Sequence, residues 1–205
     1  MLIFDLDGTL YQTHKTCLPV LADMCAAHHL VIGPSDEAYL MYTNVAAFLE
    51  RIAPGMPKAD RIFFERDMTA RVIDEIGKGG MLYDGVADLL TRFKMSGRVL
   101  ALCSMAGAAY VNAVLVRCKI ASFFDFVCAR RDGETKSQMV QALIGTSGAS
   151  KSACVMIGDS ISDLTAARDH AIRFIGVGYG YGKKDIQGHP IAENVWDLGR
   201  LIDSL

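Results

Sequence analysis

The chain has 205 residues, enough for one large domain or a domain with a small companion, and its 51% hydrophobic content supplies a sizeable core. A formal net charge of -2 gives no electrostatic case for nucleic acid or an anionic membrane as partner. No apolar run approaches the length of a bilayer span, and Asp5 and Asp7 stand where a signal peptide would be apolar, so the expected location is the cytoplasm.

The chain opens on Leu2-Ile3-Phe4, an apolar run that reads as a buried strand, because parallel strands are covered on both faces. Asp5, Asp7 and Gly8 follow at once. If the strand continued, Asp5 and Asp7 would project to one side, roughly 6–7 Å apart at the strand rise, and Gly8 would turn the backbone sharply after them. The pair also fits a bland alternative, an edge strand running into an acidic turn.

From about Thr13 to Leu30 the apolar residues have helical spacing, with Thr13 as a candidate N-cap. A break at Ile32-Gly33-Pro34 precedes a second helix starting near Ser35. A third runs over Val45 to Ile52, and a fourth from Lys58 to Ile76 stops at Gly77-Lys78-Gly79-Gly80. This stretch shows no strand pattern and reads as a small helical bundle. His28 and His29 at the end of the first helix are read as answering the helix dipole rather than as metal ligands.

From Met81 strands and helices alternate. Asp84 to Met95 is an amphipathic helix and Val99 to Cys103 a strand ending at Ser104. Then come a helix over Ala108 to Cys118, a strand over Phe124 to Cys128, and a helix over 136 to 145 led by Lys136. A strand over Ala153 to Ile157, a helix over Asp163 to His170, a strand over Ile172 to Val177 and a closing helix over Val195 to Leu205 complete the chain. Such alternation specifies an α/β fold, a doubly wound parallel sheet with helices on both faces. The expected organisation is an α/β core of residues 1–11 and 81–205, with residues 12–80 as a helical insert.

Three strands end in polar residues: Asp5 with Asp7, Ser104, and Asp159 with Asp163. If the first strand is central, all three ends meet at the switch point of the sheet, where open α/β sheets bind ligands. Clustered carboxylates repel, by roughly 4 kcal/mol per pair at about 4 Å and an effective dielectric near 20, so either their pKa values rise or a cation binds. The donors are hard oxygens without a His or Cys cluster, which favours Mg2+. Lys136 offers a positive charge for a phosphoryl group, and Ser104 with the N–H groups after it offers donors. Each residue also has a structural reading: Ser104 as a helix cap, Lys136 as a solvated lysine, Asp163 as an N-cap and Asp159 as a turn residue. The six cysteines, Cys17, Cys25, Cys103, Cys118, Cys128 and Cys154, form no CxxC pair and read as buried free thiols. Cys103 adjoins Ser104, so its oxidation is expected to inhibit a site built there.

The order of these motifs resembles the haloacid dehalogenase-like hydrolase superfamily. The matching pieces are Asp5-Leu6-Asp7-Gly8-Thr9-Leu10, Ser104 after a strand, Lys136, and Gly158-Asp159-Ser160-Ile161-Ser162-Asp163. Tyr83-Asp84-Gly85-Val86, Ala166-Ala167-Arg168 and Gly176-Val177-Gly178-Tyr179-Gly180-Tyr181-Gly182 look like the phosphoglycolate phosphatase branch. The resemblance implies a Rossmann-like core of strand order 3-2-1-4-5, with the insert as a type 1 cap. It implies Asp5 as nucleophile forming an aspartyl-phosphate and Asp7 as acid and base. Asp5, the Asp7 backbone carbonyl and Asp159 would hold Mg2+, with Asp163 in support. Ser104 and Lys136 would bind the phosphoryl group, with Met105 beside them. The second aspartate, Asp7, favours phosphate monoesters over halides and phosphonates.

Four positions depart from the branch: Gln12 stands where Asp is common, Ser104-Met105 where Thr-Asn is common, and Ser137 where Pro follows the lysine. The expected partner is therefore a small phosphorylated metabolite, with phosphoglycolate itself in question, and the expected assembly a monomer or homodimer. Thr43, Asn44, Arg51, Lys58, Arg61 and Arg66 are the candidate selectors in the cap. A phosphosugar mutase is the alternative within the same chemistry, separable by isomer formation from a sugar 1-phosphate. A phosphoryl-binding switch without turnover and an inactive interaction module are alternatives of other classes; the helical insert and Asp7 speak against the first, the complete acidic set against the second.

Overall fold

The computed structural model describes residues 1–205. The chain divides into two compact units, Met1–Gln12 with Leu82–Leu205, and Thr13–Met81.

The first unit is built on a sheet of six parallel strands: β1 (Leu2–Phe4), β2 (Leu100–Ser104), β3 (Phe126–Ala129), β4 (Val155–Gly158), β5 (Arg173–Val177) and β6 (Ile191–Ala192). Their spatial order is β3-β2-β1-β4-β5-β6. The five strands anticipated from the sequence keep the order 3-2-1-4-5. The sixth is an addition: two residues beside Pro190 are too few to show a period, and they join the sheet through Gly176 and Gly178 N–H groups donating to Pro190 and Ala192 carbonyls, each at 2.8 Å. Every residue of β1, β2 and β4 is buried, as strands covered on both faces must be. On one face Ile3, Ala101, Cys103 and Met156 pack with Met139, Val140, Leu143, Leu164, Ala166 and Ala167 into one core. β3 is an edge, and Val127 is 47% exposed.

Five helices of this unit cover the sheet: α5 (Val86–Met95), α6 (Ala108–Arg117), α7 (Lys136–Ser147), α8 (Ile161–Asp169) and α9 (Val195–Asp203). Their starts follow capping chemistry more closely than apolar spacing does. α5 begins at Val86 instead of Asp84, because Gly85 turns into the left-handed region at φ 86°. α7 begins at Lys136 behind a Thr135/Gln138 capping box. α8 begins at Ile161, two residues ahead of the expected Asp163. Ser160 is its N-cap, and Asp163 closes a capping box by accepting from Ser160 N at 3.1 Å.

The second unit is all helical: α1 (His14–Ala27), α2 (Pro34–Tyr42), α3 (Val45–Ile52) and α4 (Lys58–Gly79). α4 buries Phe64, Met68, Val72 and Ile76, one residue per turn. α1 buries Cys17, Val20, Leu21, Met24 and Cys25. Thr13 stands at the N-terminus of α1 as anticipated, but its side chain caps nothing. α1 ends at Ala27, so His28 and His29 lie beyond it; the His28 ring lies 5.2 Å from that of Phe64. The six cysteines are free thiols. No helix is long and apolar enough to cross a membrane.

Candidate active site

β1 lies between β2 and β4, with Phe4 level with Leu102 and Ile157. Ser104 and Asp159, two positions further along their chains, therefore come level with Leu6. Their side chains arise beside the loop that follows β1, at the carboxyl edge of the sheet. That loop is tight. The Leu6 carbonyl accepts from the N–H groups of Thr9, Leu10 and Tyr11, at 3.3, 2.9 and 2.9 Å, and Gly8 sits at φ 76°. A Cβ on Gly8 would overlap the Asp159 carboxylate and lie 2.8 Å from the Tyr181 ring. Glycine here serves both the turn and the close approach of two loops.

Asp5, Asp159 and Asp163 each bring a carboxylate oxygen within 4.8 Å of the other two, and all three residues are buried. Lys136, 3% exposed, sits among them. Its Nζ donates to Asp5 Oδ1 and lies 2.5 Å from Asp163 Oδ1, an ionic contact without a hydrogen bond aligned on that oxygen. Asp163 Oδ2 accepts from the Ser160 hydroxyl at 2.5 Å. One carboxylate thus closes the start of α8 and also faces the lysine. Asp159 Oδ2 accepts from Tyr181 N–H at 2.6 Å. The loop carrying Tyr181 can reach Asp159 because residue 180 is glycine: a Cβ there would overlap the Asp159 side chain and lie 2.6 Å from the Gly8 carbonyl.

Three buried carboxylates share one ammonium. Burial pushes the Asp5 carboxyl well above the usual range; Lys136 opposes this, while Asp163, Asp159 and Asp7 add to it. Asp159 is pushed up to about 7 by burial and by Asp163, against the Tyr181 N–H and Lys136. Burial acts against the Lys136 ammonium, yet Asp163 and Asp5 outweigh it and hold its pKa above the ordinary lysine value. The donor set is all carboxylate, hard oxygen with one lysine to offset it. It fits a hard divalent cation such as Mg2+, which takes one or two carboxylates and completes its shell with water and phosphate oxygens.

Asp7 is placed differently from Asp5. β1 stops at Phe4, so strand alternation does not extend to Asp7. Its carboxylate accepts from the Tyr110 hydroxyl at 2.6 Å on Oδ1 and, weakly, from Ser104 Oγ at 3.5 Å on Oδ2. It is not among the three carboxylates that cluster. Ser104 is fully buried and does not cap α6, whose N-cap is Gly107; its Oγ accepts from Ala106 N at 3.1 Å. The Met105 side chain packs against the core.

Four of the six candidate selectors serve the helical unit's own fold. The Thr43 hydroxyl donates to the Tyr39 carbonyl, and Asn44 caps α3 by accepting from Ala47 N. Arg51 pairs with Asp36 and lies over the Tyr39 ring, and Arg61 donates to the Ala53, Pro54 and Met56 carbonyls. Lys58 and Arg66 are exposed. Burial pushes the Cys103 thiol up to about 12, which keeps it a thiol rather than a thiolate.

Two participants carried no sequence signal of their own. Tyr110, in the first turn of α6, reads like any core-facing aromatic. The Tyr181 contribution is a backbone N–H, and only the glycines on either side of it hint at a close approach.

The model of the family described as haloacid dehalogenase-like hydrolase matches residues 2–177. A phosphoglycolate phosphatase of Caulobacter vibrioides is 30% identical over 200 residues, covering 90% of this chain and 81% of the relative. One of Agrobacterium fabrum is 27% identical over 188 residues, covering 87% and 80%. Among solved structures, a haloacid dehalogenase-like hydrolase of Streptococcus pneumoniae superimposes with a TM-score of 0.83 at 19% identity, over 100% of this chain and 97% of the other; that likeness concerns the fold.

Proposed function

We propose, from the premise that the chain belongs to the haloacid dehalogenase-like hydrolases and to their phosphoglycolate-phosphatase-like branch, that it hydrolyses a small phosphomonoester through a phosphoryl group carried on Asp5. The protein is a phosphatase. The observation that carries the assignment is the buried constellation of Asp5, Lys136, Asp159 and Asp163 at the switch point of the sheet. A structural role alone does not account for three buried carboxylates around one lysine, because burying charge costs several kcal/mol per ion.

Lys136 holds Asp5 by Oδ1, which leaves Oδ2, reached by the Thr9 hydroxyl at 3.4 Å, as the oxygen that attacks phosphorus. As the new O–P bond forms, the bond from phosphorus to the leaving oxygen breaks, and its electron pair goes to that oxygen. Asp7 supplies the proton that makes the leaving group an alcohol. Water then attacks the phosphorus of the aspartyl-phosphate, giving its proton to Asp7, and the bond from phosphorus to Asp5 Oδ2 breaks, releasing the carboxylate and inorganic phosphate. Lys136 and Ser104 meet phosphoryl oxygens, a task of positioning and charge compensation throughout. Asp5, Asp159 and the Asp7 backbone carbonyl are the groups that would hold Mg2+, whose chemistry there is to offset charge on the transferring phosphoryl group.

The test is phosphate release from a panel of small phosphomonoesters, phosphoglycolate first, with Mg2+ and with Mg2+ removed by chelation. Turnover by the native chain that disappears in Asp5→Asn, together with an acid-stable phosphorylated chain absent from that variant, is the expected result. Turnover surviving Asp5→Asn would overturn the nucleophile.

A further inference from the structure

The carboxylate of Asp7 is set apart from the three that cluster, and it accepts a short hydrogen bond from a tyrosine hydroxyl. Tyr110 is the third residue of α6, half-buried, and its O–H reaches Asp7 Oδ1 at 2.6 Å across 103 residues of sequence. The other oxygen, Oδ2, faces Ser104 Oγ at 3.5 Å, too long for a strong bond. The serine oxygen itself accepts from Ala106 N at 3.1 Å, so the serine is fixed by its own loop rather than by Asp7. The short contact holds Oδ1, and Oδ2 is the oxygen that faces the serine.

We propose that Tyr110 is a positioning residue for the proton-transfer step, fixing Asp7 through Oδ1 so that Oδ2 is the oxygen that exchanges a proton with the leaving group. This rests on the reading of Asp7 as the acid and base. In the first half-reaction Asp7 Oδ2–H gives its proton to the leaving oxygen as the P–O bond breaks and that oxygen takes the electron pair. In the second, the Oδ2 anion takes a proton from the attacking water. The tyrosine keeps its own proton throughout. Its hydrogen bond acts as a pin against rotation of the carboxylate toward Asp5, Asp159 and Asp163, where Asp7 would serve as one more cation ligand and be lost to proton transfer. Well-oriented groups are worth orders of magnitude in rate, so loosening one oxygen costs rate where the proton matters.

The proton matters in proportion to how poor the leaving group is. An alkoxide needs protonation as it departs, whereas a nitrophenolate departs with little help. The experiment compares native chain, Tyr110→Phe and Asp7→Asn, all with Mg2+, on an alkyl phosphate (glycerol phosphate or phosphoglycolate) and on p-nitrophenyl phosphate. Tyr110→Phe keeps the ring and removes one oxygen, and a melting curve on the same samples checks the fold. The expected result is a loss in kcat/KM, which reports the first half-reaction alone, of about 10- to 100-fold on the alkyl ester, as for a hydrogen bond to a charged group. The loss in kcat/KM on the aryl ester should be about tenfold smaller, because its leaving group departs with little help. Asp7→Asn should show the same discrimination with larger losses. Equal losses of kcat/KM on both esters from Tyr110→Phe, or none, would overturn the pinning role while leaving Asp7 in place. Asp7→Asn that still cleaves the alkyl ester at the native rate would instead remove Asp7 from the mechanism, and the role of Tyr110 with it.

Discussion

The two units of the chain handle charge in opposite ways. The sheet-based unit buries Asp5, Lys136, Asp159 and Asp163 along with Thr9 and Ser104. The helical unit buries one polar residue, Thr16, and keeps its ion pairs at the surface: Arg71 with Asp67, Lys78 with Glu75, Arg51 with Asp36. Exposed pairs of this kind contribute about 0–1 kcal/mol each. The helical unit is organised by apolar stripes such as Phe64, Met68, Val72 and Ile76, the ordinary means of holding helices together. The sheet-based unit carries a desolvation cost that its own core must offset, concentrated at one edge of the sheet. Charge burial of that kind marks where chemistry was selected over stability.

Four measurements would break or sharpen this contrast. The largest effect is expected from Asp5→Asn, with kcat for phosphate release falling by about 10⁴-fold or more. The same variant removes one of three mutually repelling carboxylates, so its metal-free melting temperature should equal or exceed that of the native chain. A simultaneous drop in stability would mean that Asp5 is a structural ion pair. Next comes Lys136→Met, which leaves the three carboxylates without their cation. Urea unfolding at pH 8 should show a loss of about 3–5 kcal/mol, as when one partner of a buried pair is removed, and the deficit should shrink at pH 5, where carboxylates with raised pKa values take up protons.

The third measurement is the effect of Mg2+ on melting as a function of pH. The Asp159 carboxyl titrates near 7 in the folded metal-free chain against an ordinary value of 3.8. Between those values the folded state binds more protons than the unfolded one. Stability therefore declines as pH rises through that window. A cation binds the ionised carboxylates and releases those protons. Saturating Mg2+ should accordingly stabilise the chain by about 2–3 kcal/mol at pH 8, the value for a ligand near 100 times its Kd, and by much less at pH 5. An equal shift at both pH values would place the ion elsewhere. The smallest effect is expected in the helical unit: Arg71→Ala, which breaks the exposed pair with Asp67 at 3.0 Å, should change unfolding free energy by less than about 0.5 kcal/mol.

The helical unit was also the more legible of the two at the level of elements. α3 runs over Val45–Ile52 as its spacing predicts, and α4 overruns its expected end at Ile76 by three residues because Gly77 and Gly79 continue the helix. In the sheet-based unit the strands were legible as apolar runs and the helix starts were less so. The start of α8 shows why: Asp163 looks like a cap from its place after a polar loop, but Ser160 takes that position and Asp163 becomes its reciprocal partner. Local pattern places an aspartate near a helix end; hydrogen-bond geometry decides which turn it closes.

By itself the sequence determined the alternation of strands and helices, the all-helical insert and the arrival of Asp5, Ser104 and Asp159 at strand ends. These follow from periods of two and 3.6 residues, which are local properties of the chain. Tertiary structure alone decided which oxygen meets which partner. Lys136 reaches Asp5 across 131 residues, and Tyr110 reaches Asp7 across 103. The short strand β6 likewise exists only because β5 offers it an edge. Contacts between segments so far apart depend on how strands are ordered and how loops turn, and no local period encodes that.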